Sequence, residues 1–181
     1  MYIVDEQAER REILSRYKKL LSTIYGRATK EEILMIRKAF VVARNAHSSA
    51  RRKTGEPYIY HPLEVAQLAS ADLGLGAVSV VCALLHDVVE DTEYTLEDIE
   101  NIFNKKVAQI VDGLTKIQDV FDYDTQSIQS ENFKKLIITL GDDVRVILIK
   151  LCDRLHNMRT MDAMPPKKQL KIAAETQFLY V

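Results

Sequence analysis

Residues 84–92 read LLHDVVEDT, which sets His86, Asp87, Glu90 and Asp91 within six positions. They follow GAVSVVCALL, residues 76–85, a run apolar enough for the middle of a core helix. An imidazole and three carboxylates in such a place can hold a cation or move a proton. Taken as one helix over 76–91, the four polar groups fall within an arc of about 140°. Ser79, Cys82 and Ala83 lie on the same face, small enough to let another helix approach. Glu90 and Asp91 would sit at the negative end of that helix, where a nearby cation or catalytic proton offsets the cost. The plainer reading makes His86 a core or helix-end residue and the two acids a solvated terminus.

A second signal is Asp153, preceded by a stretch that is apolar from Val146 to Cys152 except for Lys150. An unpaired carboxylate there would be costly, so it needs a cation: Lys150, Arg154 or a metal ion. Asn157 and Thr160 lie four and seven positions on, along the same helical face. The third signal is His61, between the breaks at Pro57 and Pro62. His61, His86, Asp87 and Asp153 together offer two nitrogens and two oxygens from three segments, a set suited to a borderline or hard divalent ion. Such an ion lowers the pKa of a water it holds and neutralises phosphoryl charge. Arg51, Arg52 and Lys53 precede His61 on the loop that would deliver it. Arg52 and Lys53 suit an anionic substrate, while Arg51 stays unassigned.

Helices must position these groups. The chain has 181 residues, 47% hydrophobic and 28% charged, with six glycines and four prolines, which favours one all-helical domain over a turn-rich β fold. Helices are expected over about 6–24, from a Thr29/Glu32 capping box to about 48, over 62–72, 76–91, 96–103 behind Thr95 and Asp98, and 105–113. Residues 114–130 read as a long loop or lid, 131–140 as a helix, 144–158 as a central helix, and the stretch after Pro165-Pro166 as a last helix. That helix ends in an apolar patch without a cap, which suggests a piece of a longer protein. The net charge of -1 gives no global field for nucleic acid or an anionic membrane. Cys82 and Cys152 sit in apolar runs without CxxC spacing, so they read as buried hydrophobes. With no signal peptide and no long uncharged apolar segment, a cytoplasmic protein is expected.

The strings RKTGEPYIYHP (52–62), LLHDVVEDT (84–92), VDGLTK (111–116) and VRVILIKLCDRLHNMRT (144–160) occur in that order. The chain thereby resembles the HD superfamily of metal-dependent phosphohydrolases, and within it the N-terminal hydrolase domain of the RelA/SpoT family. The resemblance spans essentially residues 1–181. It implies a compact HD-domain helical bundle that removes pyrophosphate from the 3′ position of (p)ppGpp, leaving GDP or GTP. It implies manganese (Mn2+) held by His61, His86, Asp87 and Asp153, with Glu90 and Asp91 as the catalytic acidic pair. It assigns substrate contacts to Arg52, Lys53, Thr54, Asn157 and Thr160. In full-length members, synthetase and regulatory domains follow in cis; no DNA or membrane partner is implied. The alternatives are an HD phosphohydrolase of another nucleotide and a non-catalytic nucleotide-sensing module.

Overall fold

The computed structural model describes residues 5–122 and 142–180, and the chain divides into two compact units, 1–85 and 86–181. Regular structure among the described residues is helical, apart from one isolated antiparallel bridge between Arg51 and Pro57. The expected all-α class is met.

In the first unit, α1 (Glu6–Ile24) starts where the Asp5 carboxylate accepts hydrogen bonds from the Gln7 and Ala8 amides. Glu6 and Glu9 occupy its first turn, the end that favours anions. Helix α2 (Lys30–Ala46) opens with the full Thr29/Glu32 capping box, a device that contributes about 1 kcal/mol, and closes at His47. Helices α3 (Tyr60–Ala71) and α4 (Ala77–Leu85) are almost wholly buried. Because α4 is apolar on every side, it needs neighbours on more than one side, and both α2 and α3 pack against it. Helix α3 also packs on α1, and Tyr17 stacks on Phe40 with ring centroids 4.2 Å apart, tying α1 to α2. Just past α1, the Arg27 guanidinium donates to the Thr23, Ser70 and Gly74 carbonyls. Gly74 sits there at φ +64°, which a glycine accepts without strain.

The second unit contains α5 (Val88–Asp91), α6 (Leu96–Ile102), α7 (Lys105–Asp122), α8 (Arg145–Arg159), a 3₁₀ turn (Met161–Ala163) and α9 (Pro166–Tyr180). A second capping box, Thr95 with Asp98, starts α6. Helices α5 and α6 pack on α7, α7 on α8, and α8 on α9. Its core contains Ile99, Ile110, Leu114, Ile117 and Ile149, all essentially inaccessible.

Two expectations are corrected. The helix expected over 76–91 ends at Leu85, and His86 and Asp87 form a turn before the single turn of α5. Asp87 sits at φ −100°, ψ −3°, outside ideal helical geometry. Periodicity missed this because a two-residue break barely disturbs the spacing of apolar residues on either side. The short helix at 105–113 and loop from 114 are instead one helix, α7, running to Asp122. Leu114 and Ile117 continue the buried face begun by Ile110. Among the polar residues there, Thr115 is half-buried and donates to the Val111 carbonyl, and Lys116 is exposed and pairs with Asp112. The rest of the expected lid, 123–130, and the helix expected over 131–140 lie outside the described residues.

Candidate functional site

Helix α8 places Lys150, Asp153 and Asn157 at spacings of three and four, on one face. Asp153 is 5% exposed and Lys150 3%. The Asn157 amide nitrogen donates a 2.7 Å hydrogen bond to Asp153 Oδ1, and Lys150 Nζ lies 3.5 Å from Oδ2. His86 is buried, with Nε2 at 3.0 Å from Asp87 Oδ2 and 3.9 Å from Asp153 Oδ1. One imidazole nitrogen therefore faces two carboxylates. The turn at 86–87 makes this possible, since adjacent residues within a helix point about 100° apart.

Two carboxylates face the His86 imidazole in this cluster, with the Lys150 ammonium beside one of them. Burial pulls the imidazole down. The charge and hydrogen bond of Asp87, helped by the charge of Asp153, outweigh burial and the opposing Lys150, and raise its pKa to about 9. A place that draws a proton to an imidazole nitrogen between a buried and a half-buried carboxylate has the donor chemistry of a divalent-ion site. The cation that Asp153 required is thus only partly Lys150. That ammonium meets one oxygen, and the other is shared between Asn157 and His86.

In the first unit, His61 is buried in the first turn of α3. The Tyr58 ring stands edge-on to it at 5.9 Å and lies over the His47 ring at 4.5 Å. Tyr58 thus packs against two imidazoles. Arg52, Lys53 and Thr54 form the tip of a tight hairpin. The Arg52 amide donates to the Glu56 carbonyl and the Gly55 amide to the Arg52 carbonyl, both at 2.9 Å. Gly55 at φ +89° closes the turn. Lys53 and Thr54 are exposed and Arg52 is half-buried.

Arg51, unassigned by the sequence, grips Glu9 of α1 with a two-pronged ion pair of 2.8 and 3.0 Å. Nothing in the sequence flagged Glu9, which lies 42 residues away. Glu90 and Asp91 are exposed on α5, where the Asp91 amide donates to the Asp87 carbonyl at 2.9 Å. The Thr160 hydroxyl donates to the His156 and Asn157 carbonyls at 3.1 and 3.3 Å, finishing α8. The structure thus gathers His86, Asp87, Asp153 and Asn157 within the second unit, together with Glu90, Asp91 and Thr160 on its helices. Arg52, Lys53, Thr54 and His61 belong to the first unit. Among the described residues, no helix is long and apolar enough to cross a membrane.

A sequence model of the HD domain matches residues 39–181. The bifunctional (p)ppGpp synthase/hydrolase SpoT of Escherichia coli K12 is 45% identical over 150 residues, covering 83% of this chain and 21% of that protein. A probable guanosine-3′,5′-bis(diphosphate) 3′-pyrophosphohydrolase of Synechocystis is also 45% identical, over 81% of this chain and 19% of its own length. The chain therefore spans about a fifth of these curated relatives. A solved structure described as a metazoan ortholog of SpoT that hydrolyses ppGpp matches with a TM-score of 0.60 at 26% identity. That match covers 80% of this chain and 85% of the other.

Proposed function

The chain belongs to the HD-domain family, and from that we propose that it is a metal-dependent hydrolase of guanosine tetra- and pentaphosphate that releases the 3′-pyrophosphate. The observation that carries the reading is the buried His86 nitrogen facing Asp87 and Asp153 at 3.0 and 3.9 Å. Its substrate is taken from relatives named for that activity and alike over four-fifths of this chain. Both units are read as one HD-type domain, supported by a family match that runs from 39 to 181.

In this reading His61 joins His86, Asp87 and Asp153 as ligands of one manganese ion. Support comes from the approach of His86 to Asp153 in the second unit and from the burial of His61, a ligand-type side chain, in the first. The bound ion would supply an acidified water and charge neutralisation at the phosphoryl group. Asn157 holds the Asp153 carboxylate in orientation and is assigned to the nucleoside end of the substrate. Lys150 limits the negative charge around Asp153. Asp91 takes the proton of the attacking water, and Glu90 orients that water or protonates the leaving ribose 3′ oxygen. A P–O bond to water forms as the bond to the 3′ oxygen breaks, giving pyrophosphate and GDP or GTP. Arg52 and Lys53 bind the diphosphates or stack on the purine, Thr54 lies near the sugar, and Thr160 lines the nucleoside end. Work in the cytoplasm beside synthetase and regulatory segments in cis belongs to the same reading, after the bifunctional relative.

The test is an assay of metal-stripped protein with ppGpp, adding manganese, magnesium or zinc in turn. Pyrophosphate and GDP should appear only with metal. Asp153→Asn should abolish metal binding and turnover while the helical circular dichroism persists. Turnover that survives chelation would sink the metal centre. Metal-dependent binding without product would make the chain a sensor, and turnover of another nucleotide alone would replace the substrate.

A further inference from the structure

The loop expected to bind substrate is anchored by a segment that lies outside the matched family region. Residues 39–181 match the HD domain, whereas Glu9 lies in α1, ahead of them. Arg51 reaches Glu9 with both terminal nitrogens and donates from Nη1 to the Gly55 carbonyl at 2.7 Å. One guanidinium thus ties three things together: α1, the base of the hairpin and its closing glycine. Two backbone bonds within the loop, Arg52 to Glu56 and Gly55 to Arg52, and a third from Tyr58 to Ala50 complete the unit. An open groove of about 590 Å³ runs between α1 and the hairpin base, with Glu9, Ile13, Ala50, Arg51 and Pro57 in its wall. A planar guanidinium against a carboxylate fixes orientation as well as distance, which a lysine at 51 would not do.

We propose that Arg51 and Glu9 are positioning residues: their ion pair locks the 51–57 hairpin onto α1 and so holds Arg52 and Lys53 where they meet the nucleotide. The inference rests on the assignment of Arg52 and Lys53 to substrate. Loosening the pair leaves the metal ligands and the acidic pair untouched, so its effect falls on substrate affinity rather than on the chemical step. The pair is partly exposed, so its hold should also weaken with salt.

The test uses the 181-residue chain with Glu9→Gln, Arg51→Gln, the double variant, and Arg52→Ala as a reference. Two measurements are made: steady-state ppGpp hydrolysis with manganese, and amide hydrogen exchange. Either single clamp variant should raise KM roughly threefold to tenfold with kcat within about twofold, and the double variant should be no worse than either. The Arg52, Gly55 and Tyr58 amides should exchange faster in Glu9→Gln while those of α3 do not. Glu9 is a helix-surface residue, so that variant decides the matter even where Arg51→Gln folds poorly. Unchanged exchange in Glu9→Gln, additive effects in the double variant, or a fall in kcat at constant KM would each overturn the proposal. Faster hairpin exchange together with an unchanged KM in Arg52→Ala would instead remove the hairpin from the substrate site, and the positioning role with it.

Discussion

At the scale of single residues, the protonation of His86 is the most consequential property of the cluster. Its imidazole is buried, yet Asp87 and Asp153 hold its pKa at about 9, above the ordinary 6.5. A group whose folded value is raised stabilises the fold fully below its unfolded value, and loses that contribution as pH climbs through the folded one. For the metal-free protein this window runs from about 6.5 to about 9. An ion using the same nitrogen must displace the proton, so apparent manganese affinity should rise with pH across that window. Calorimetric titration at pH 7.5 in buffers of different ionisation heat should count close to one proton released per ion bound. Binding without proton release would show that His86 is not a ligand. Asp87, in the turn just before α5, brings its carboxylate to 3.0 Å from that imidazole.

At the scale of elements, the junction of α7 with α8 depends on Asp143. Its carboxylate accepts from Arg145 Nη2 and Nε, meets Lys106 Nζ of α7 at 2.7 Å, and accepts the Arg145 amide at the head of α8. The Arg145 hydrogen bond holds it far below the usual carboxylate range despite the cost of burial, with Lys106 adding to the effect. A depressed carboxylate contributes stability above its unfolded pKa, near 4, and loses it as acid protonates the folded form. Asp143→Asn should therefore cost about 1 kcal/mol at pH 7, discounted for the exposure of Lys106, and clearly less at pH 3. Urea unfolding at the two pH values measures both. An equal loss at both would assign the effect to packing rather than charge.

At the scale of the whole molecule, a net charge of -1 gives no long-range attraction for an anionic ligand. In the proposed reading, positive charge comes locally, from the hairpin tip and from the ion. That dependence has a thermodynamic signature. An ion bound only by the folded protein stabilises it by about 2.7 kcal/mol when its concentration is a hundredfold above Kd. Thermal melts should rise with manganese and fall back with chelator, and His61→Ala should reduce the rise. A full rise in that variant would exclude His61 from the ligand set.

The sequence by itself determined the helical class, both Thr-led capping boxes and the buried character of α4, and it proposed the candidate ligands at 61, 86, 87 and 153. These follow from local spacing, side-chain type and motif, which a chain displays before it folds. Tertiary structure decided what depends on approach. It broke the helix at 86–87 so that one imidazole faces two carboxylates, and it turned Asn157 onto Asp153. It also carried α7 through a polar stretch whose apolar residues find a core, and gave Arg51 a partner 42 residues away. Ion pairs and packing across such separations leave no periodic trace, because only the folded backbone sets which side chains meet.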